Sequence, residues 1–585
     1  MTQYFEVLDR DFGGRLGELR LDDSVVTPGV IPDDLLEDYG SLWTDERDEP
    51  SGSESKVTIL PHRAMPSGTP SEVVEEKQPV HSETDFPSAT VVSYEKPVAD
   101  GHDVYILTGI EGGNSRDVVG AVVNARRQLE SDSLLLLPAV ASPRNVALLS
   151  YLGVDGFDID NAVVKGKGGV YMTRELEIDV EKLSELPCRC EVCIDSSVEE
   201  ITPDEVARHN RLALESELAN VRDKIRNGKL REYVESQVGH ARWMTEAFRL
   251  LDDEYTEYLE RRTKVVRQSN INCNTMESLY RSDIERFRRR VVERYSAPRN
   301  DCLVLLPCSA RKPYSESDSH SDFQSKIRGR AHEAVLTSPV GVVPRELELT
   351  FPAGHYDTPV TGRWTASERD VVRETLERYL ENNDYSHVVS HLPSEGYREI
   401  LDEAIDNVDT EVTYTVEDGE HPTDSSALDR LEDAVERYDQ ANYSIQDKWI
   451  LRGVMDYQFG EDIFDDSFGL GGVRAEGRYP RLRVFAKRDE EVQIGTLAPS
   501  YGSLALTTEG ADSLPVHRVE IDDFVPSGSV LAPGVVDADD SIRIGDEVMF
   551  EGPSAQGVGR AGMYGREMRD SKRGIAVDVR HVEEK

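Results

Sequence analysis

Lysine is scarce in this 585-residue chain. Only 15 of its 67 basic residues are lysine, against 112 acidic residues, which leaves a net charge of −45. An acidic, lysine-poor surface suits concentrated salt, where carboxylates hold water and cations and screening weakens their mutual repulsion. Long apolar runs are also missing. Leu134–Leu137 stops at Pro138, far too short to span a bilayer. Met1–Arg10 is mixed and polar, so no secretory signal is expected. Six cysteines in so long a chain exclude a disulfide framework. Hydrophobic residues are few, at 38%, yet apolar periodic segments recur throughout, which opposes disorder. A soluble, cytoplasmic, halophilic protein of about four domains is expected.

Short apolar strands alternate with helical segments up to about Thr202. Val57–Leu60, Asp103–Gly109 and Ser133–Pro138 read as strands, and the last two flank a helical stretch. Such alternation predicts a parallel α/β sheet that is able to close into a barrel. Residues 40–56 and 64–90 are rich in Asp, Glu, Ser, Pro and Gly and read as long loops. Pro203–Tyr295 reads as helical, with arginines crowding its end. Asp301–Pro307 and Ser386–Pro393 read as strands of a second α/β unit, followed by an acidic linker around Glu411–Asp439. Glycine-punctuated strands run from Trp449 to the end.

Three cysteines fall within six positions. Cys188, Cys190 and Cys193 have C-x-C-x2-C spacing, and His209 follows in a His-Asn pair at a helix start. Three thiolates and an imidazole meet the tetrahedral preference of zinc and leave no open position, so the expected zinc is structural. This cluster resembles the zinc site of tRNA-guanine transglycosylases. The opening segment, with Arg15, Gly17, Thr27 and Pro28, and the stretch Gly153–Thr173 resemble the same family. Glu111-Gly112-Gly113 resembles its Gln-Gly-Gly loop, and the resemblance puts Asp158 on the position of the nucleophilic aspartate. The departures are the glutamate at 111, Lys165-Gly166-Lys167 after Asp158, and a barrel region short of the usual length of about 250 residues. They imply a degenerate TIM-like transglycosylase barrel that binds tRNA, with Asp158 standing either as a working group or as an ordinary strand-end aspartate.

Residues 303–323 read LVLLPCSARKPYSESDSHSDF. An apolar strand runs into a loop holding Cys308, Lys312, Tyr314, Ser317 and His320, where open α/β sheets place their sites. A thiolate adds to a nitrile carbon, an amine displaces the thioimidate, and a proton donor serves the nitrogen. In that scheme Cys308 is the nucleophile, Lys312 orients phosphate or carboxylate, and His320 shuttles protons. On composition alone, a polar loop with a buried cysteine and a capping histidine fits as well. The order P-C-x3-K-P-Y-x2-S-x2-H resembles the signature of archaeosine synthases, and every place in it is filled. That resemblance implies a tRNA-modifying transferase acting on preQ0, a 7-cyano-7-deazaguanine, at position 15 of tRNA. The nitrile accepts nitrogen from lysine, glutamine or ammonia. In the lysine version, a radical-SAM partner cleaves the adduct to leave archaeosine.

From about Pro515, the order F-V-P-x-G-S-V-L-A-P-G-V, G-D-E-V and G-x-G-R-A resembles a PUA domain, a small RNA-binding β-barrel. Arg560, Arg566, Arg569, Lys572 and Arg573 are its candidate RNA-binding residues. Arg286, Arg288, Arg289, Arg290, Arg294 and Arg299 form a second basic stretch. In so acidic a chain, local basic clusters are where phosphates are drawn.

The expected architecture is a multidomain α/β protein with five segments. Residues 1–235 form the transglycosylase-like barrel with structural zinc, and 236–299 a basic helical segment. Residues 300–425 form the second, catalytic α/β domain, 440–512 a small α+β accessory domain, and 513–585 the PUA β-barrel. Expected partners are preQ0-tRNA, an amine donor (lysine or glutamine) and a radical-SAM enzyme, with no membrane and with homodimerisation left open. The rival readings are a transglycosylase that inserts preQ0 itself, favoured by Asp158, and a non-catalytic tRNA-binding PUA protein, which leaves the Cys308 loop unexplained.

Overall fold

The computed structural model describes residues 4–39, 51–62, 69–77, 84–93, 101–110, 113–359, 363–406, 408 and 410–585. Glu111 and Gly112 of the loop discussed above lie outside the described residues. The chain divides into two compact units. One comprises Met1–Thr263, Val530–Ser541 and Met563–Ala576, and the other Lys264–Ser529, Ile542–Gly562 and Val577–Lys585.

The first unit is built on a seven-stranded sheet. Its order is Gly29–Val30, Gly156–Phe157, Leu134–Leu137, Val104–Thr108, Ser88–Ser93, Val57–Ile59 and Leu36–Asp38. Every neighbouring pair is parallel. The two edge strands are consecutive in sequence, joined only by residues 31–35. That connection reaches at most about 21 Å, whereas seven flat strands would put the edges about 29 Å apart. The sheet is therefore curled into a barrel-like form.

Side-chain alternation confirms two buried faces. Leu134 and Leu136 join Val57, Ile59, Val91, Val104 and Ile106 in one apolar cluster, which Phe5 and Leu19 of the N-terminal antiparallel strands complete. Leu135 and Leu137 belong to another cluster, with Val119, Val122 and Leu149 of the flanking helices. Burial on both faces is why these strands read as continuous apolar runs. The loop reading of 64–90 is corrected in part, since Ser71–Lys77 is helical and Ser88–Ser93 is a sheet strand.

The second unit holds a five-stranded sheet. Its order is Gly341–Pro344, His332–Thr337, Leu303–Pro307, His387–Ser390 and Glu411–Tyr414. All pairs are parallel except the one made by Gly341–Pro344. Leu303–Pro307 is the central strand, with Leu303 to Leu306 fully buried. The expected acidic linker is instead part of this domain. Glu411–Tyr414 is its edge strand, and Ser425–Val435 is a helix that buries Ala427, Leu431 and Val435 at four-residue spacing. Its acidic residues occupy the solvent face of that helix, which is why composition alone read as a linker.

A four-stranded antiparallel sheet follows, from Val473–Arg478 to Ser503–Leu506. After it His517–Ile521 pairs in parallel with Glu547–Glu551, which pairs antiparallel with Ala555–Ala561. Among the described residues, no helix is long and apolar enough to cross a membrane.

Candidate active site

Pro307 ends the central strand, and Cys308 follows at its carboxyl end, half-buried. The thiol Sγ lies 3.5 Å from the Tyr397 hydroxyl. Lys312 is also half-buried, with Nζ 3.9 Å from the centroid of the Tyr356 ring and 5.9 Å from that of Tyr314. Burial pushes its pKa down, while the charges of Cys308 and Asp357 pull it back up. The π face of Tyr356 holds the ammonium by a cation–π contact. Cys308 lies near enough to act on the Lys312 ammonium electrostatically, and both side chains are half-buried.

The rest of the motif is engaged in bonds within the fold. Tyr314 is fully buried and its hydroxyl meets that of Tyr356 at 2.8 Å. Tyr356 also meets the Thr337 hydroxyl. Burial raises the pKa of both phenols. Ser317 caps helix Asp318–Ile327: its Oγ accepts the His320 N–H at 3.3 Å and donates to the Tyr314 carbonyl at 2.9 Å.

His320 corrects the expectation of a free proton shuttle. Its Nδ1 accepts from the Arg345 guanidinium at 3.0 Å, so Nε2 carries the proton and donates to the Pro307 carbonyl, also at 3.0 Å. Burial, then the neighbouring Arg345 charge, push its pKa down to about 3. A neutral imidazole with both nitrogens engaged fastens the strand end to the helix and moves no proton near neutral pH.

Arg345 anchors this whole arrangement and was not singled out from the sequence. It bonds Glu333 at 2.7 Å, Glu348 at 2.9 Å and His320. Burial opposes its charge, but Glu333 and Glu348 hold its pKa above the usual value. Glu348 in turn accepts the Ser315 N–H and the Tyr479 hydroxyl, both at 2.9 Å. Arg345, Tyr356 and Tyr397 lie 25 or more residues beyond the motif, so local spacing carried no signal for them. Burial and distance identify them only in three dimensions.

Asp158, in the first unit, follows the Gly156–Phe157 strand at its carboxyl end. Its oxygens accept the backbone N–H groups of Ala139 at 2.8 Å and Asp160 at 3.1 Å. Burial raises its pKa against those two bonds. The Lys165-Gly166-Lys167 departure has a packing reason. A Cβ at Gly166 would lie 2.4 Å from the Ala207 Cα, so glycine permits this close helix approach.

Cys188, Cys190, Cys193 and His209 come together, with their ligand atoms within 4.8 Å of one another. His209 Nδ1 lies 3.3 Å from Cys193 Sγ and 3.5 Å from Cys190 Sγ, and the two sulfurs are 3.6 Å apart. Donors around one tetrahedral zinc are separated by about 3.4–3.8 Å, so these residues fit such an ion. His209 Nε2 donates to the Met172 carbonyl at 2.8 Å, which leaves Nδ1 for the metal. Neighbouring Asn210 accepts the Met172 N–H and donates to the Val170 carbonyl, both at 2.9 Å. The helix carrying both, Pro203–Arg226, starts at a Thr202 capping box.

The basic clusters are largely half-buried. Arg566 donates to the carbonyls of Gln128 and Leu129 and bonds Asp570. Arg569 is held by the Ala538 carbonyl and Asp540. Arg560 stacks 4.0 Å over the Tyr501 ring and pairs with Glu547. Lys572 and Arg573 are exposed. In the second stretch, Arg286 donates to the Lys264 carbonyl and Arg288 to those of Pro339 and Leu279. Arg290 lies over Tyr457, and burial pushes its pKa down to about 10. These arginines mainly satisfy carbonyls and neighbouring side chains.

Family comparisons agree with this geometry. A queuine tRNA-ribosyltransferase model matches residues 88–241, a domain of unknown function matches 284–435 and a PUA domain matches 517–582. The chain is 46% identical to the archaeosine synthase of Haloferax volcanii, over all of both chains. It is 38% identical to the archaeosine synthase subunit alpha of Methanosarcina acetivorans, again over both full lengths. It is 26% identical to the tRNA-guanine(15) transglycosylase of Methanobrevibacter smithii, over 80% of this chain and 70% of that one. With a transglycosylase-type parallel sheet, a cysteine-bearing α/β domain and a PUA domain in one chain, this protein belongs to the archaeosine synthase family.

Proposed function

We propose that the chain converts the nitrile of preQ0, already inserted at position 15 of tRNA, into an amidine at the Cys308 site. The carrying observation is the nearness of the half-buried Cys308 thiol and the Lys312 ammonium, which rests on the Tyr356 ring. The Cys308 sulfur bonds to the nitrile carbon, and one C–N π pair moves to nitrogen. Lys312 protonates that nitrogen and is recharged by the thiol proton, which leaves a neutral thioimidate. An amine then adds to the same carbon. The C–S bond breaks, the thiolate leaves and retakes a proton from the incoming amine, and the amidine remains. No oxidant or reductant is needed. Lys312 suits the proton transfer because its lowered pKa makes the ammonium a stronger acid. His320 holds the loop and takes no part in the proton path.

Lysine, glutamine or ammonia would serve as the donor. With lysine, the adduct passes to a radical-SAM partner that cleaves it to archaeosine. The Cys188, Cys190, Cys193 and His209 set would hold zinc as a structural ion that fixes the Pro203–Arg226 helix. The exposed Lys572 and Arg573 would meet tRNA phosphates, in the cytoplasm.

The test uses preQ0-tRNA with lysine or glutamine and, in parallel, unmodified tRNA with free preQ0, followed by nucleoside mass analysis. Conversion of the nitrile by the native chain, and its loss in Cys308→Ala, is the expected result. Insertion of free preQ0 would favour the transglycosylase reading. Neither reaction in any arm would leave only an RNA-binding role.

A further inference from the structure

A thiol that attacks a nitrile carried on a base must first hold that base in place. A base flipped out of an RNA loses its stacking partners, and aromatic side chains replace them. The aromatics around Cys308 divide into two kinds. Tyr314 and Tyr356 are fully buried and joined hydroxyl to hydroxyl, so their rings belong to the core. Trp364 and Tyr397 are only half-buried. Their rings pack together with centroids 4.7 Å apart, tilted by 56°. The Tyr397 hydroxyl end lies 3.5 Å from Cys308 Sγ. The Tyr397 side chain thus bridges from Trp364 to the sulfur.

The backbone makes a special provision for this ring. Helix Ser394–Ile405 begins irregularly: Glu395 is extended and Gly396 has φ +79°, a conformation that glycine adopts without strain. Regular helix starts at Tyr397, which this kink places at the carboxyl end of the neighbouring His387–Ser390 strand. That strand pairs directly with the strand carrying Cys308. Two adjacent parallel strands thus deliver the nucleophile and the ring to the same end of the sheet.

We infer that the Trp364 ring, braced by the tilted Tyr397 ring, is the stacking face that holds the 7-deazaguanine base with its nitrile toward Cys308. They are substrate-positioning residues, and this assignment rests on the proposed nitrile conversion. Base stacking on an aromatic side chain contributes about 1–3 kcal/mol, and a tenfold change in affinity corresponds to about 1.4 kcal/mol. Trp364→Ala should therefore raise KM for preQ0-tRNA about fivefold or more. Trp364→Phe should restore most of it. Tyr397→Phe keeps the ring but loses the hydroxyl beside the sulfur, so it should leave KM within about twofold and lower kcat.

A second readout needs no turnover and covers a Trp364→Ala chain that fails to fold. The chain has four tryptophans. In the full-length Cys308→Ala chain, added preQ0-tRNA should quench part of their emission. In Cys308→Ala/Trp364→Phe that part should vanish while binding persists. If the native chain converts preQ0-tRNA but KM and quenching survive both Trp364 changes, the stacking face is wrong and the nitrile chemistry stands. If the native chain leaves the nitrile untouched, the proposed function itself falls.

Discussion

Replacing Arg345 by Met would test whether the catalytic loop is held by one buried guanidinium. Arg345 and its partners are nearly dry, with side-chain exposures of 13% for Arg345, 11% for Glu333 and 1% for Glu348. Removing one partner of such a buried set leaves uncompensated carboxylates, at a cost of about 3–5 kcal/mol. His320 Nδ1 also loses its donor, and Glu348 loses the cation beside its bond to the Ser315 N–H. The midpoint of urea unfolding, followed by tryptophan emission in concentrated salt, should fall by an amount equivalent to that range. Salt screens exposed pairs strongly and buried ones much less, so the loss should persist at high ionic strength. The triple change Arg345→Met/Glu333→Gln/Glu348→Gln removes the stranded charges. It should recover part of the stability without recovering nitrile conversion, because the loop geometry stays lost. An Arg345→Met chain that unfolds within 1 kcal/mol of the native chain and turns over normally would refute the reasoning.

Acid stability carries a defined sign. His320 and His391 are fully buried, and burial lowers their pKa values from 6.5 to about 3 and about 4. Unfolding lets each take up a proton, so each costs up to about 1.4 kcal/mol per pH unit as pH falls from 6.5 toward 4. Asp456 works the other way, because burial raises its pKa from 3.8 to about 7 and it binds a proton in the folded chain first. The three together leave a net loss of about one histidine's slope on acidification, and His320→Asn should flatten it in pH-dependent denaturation curves. If Lys312 donates the proton as proposed, activity should fall on the alkaline side below the usual lysine pKa of 10.5. Tyr356→Leu removes the π face that favours the ammonium, which should shift that limb of the kcat/KM profile to lower pH still. Cys193→Ser, or prolonged chelation, should release one zinc per chain by atomic emission and lower the melting temperature. An unchanged metal content and melting temperature would remove the structural-ion proposal.

Much of this was legible in sequence, for identifiable reasons. Leu303–Leu306 and Leu134–Leu137 read as strands because burial on both faces demands unbroken apolar runs. The metal cluster was legible because four soft or borderline donors fall within 22 residues, Cys188 to His209. The motif singled out Cys308, Lys312 and His320, but residue type says nothing of whether both ring nitrogens of a histidine are already engaged, as they are in His320. The arginine clusters are ambiguous in sequence for a related reason. A guanidinium bonded to carbonyls, as in Arg566 and Arg288, has the same letter as one facing phosphate. The edge strand and helix in Glu411–Val435 were hidden by acidic solvent faces. Local spacing carries no signal for Tyr397 and Arg345, which meet Cys308 and His320 only in the folded chain, nor for Trp364, which meets Tyr397 there.

The central claim is a carbon–sulfur bond between Cys308 and the nitrile of the base. Incubation of the native chain with preQ0-tRNA in the absence of any amine donor, followed by ribonuclease and peptide mass analysis, observes it directly. A thioimidate is expected on the Cys308 peptide, and it should disappear when lysine is supplied. An unmodified Cys308 peptide in a preparation that converts the nitrile once lysine is added would contradict it.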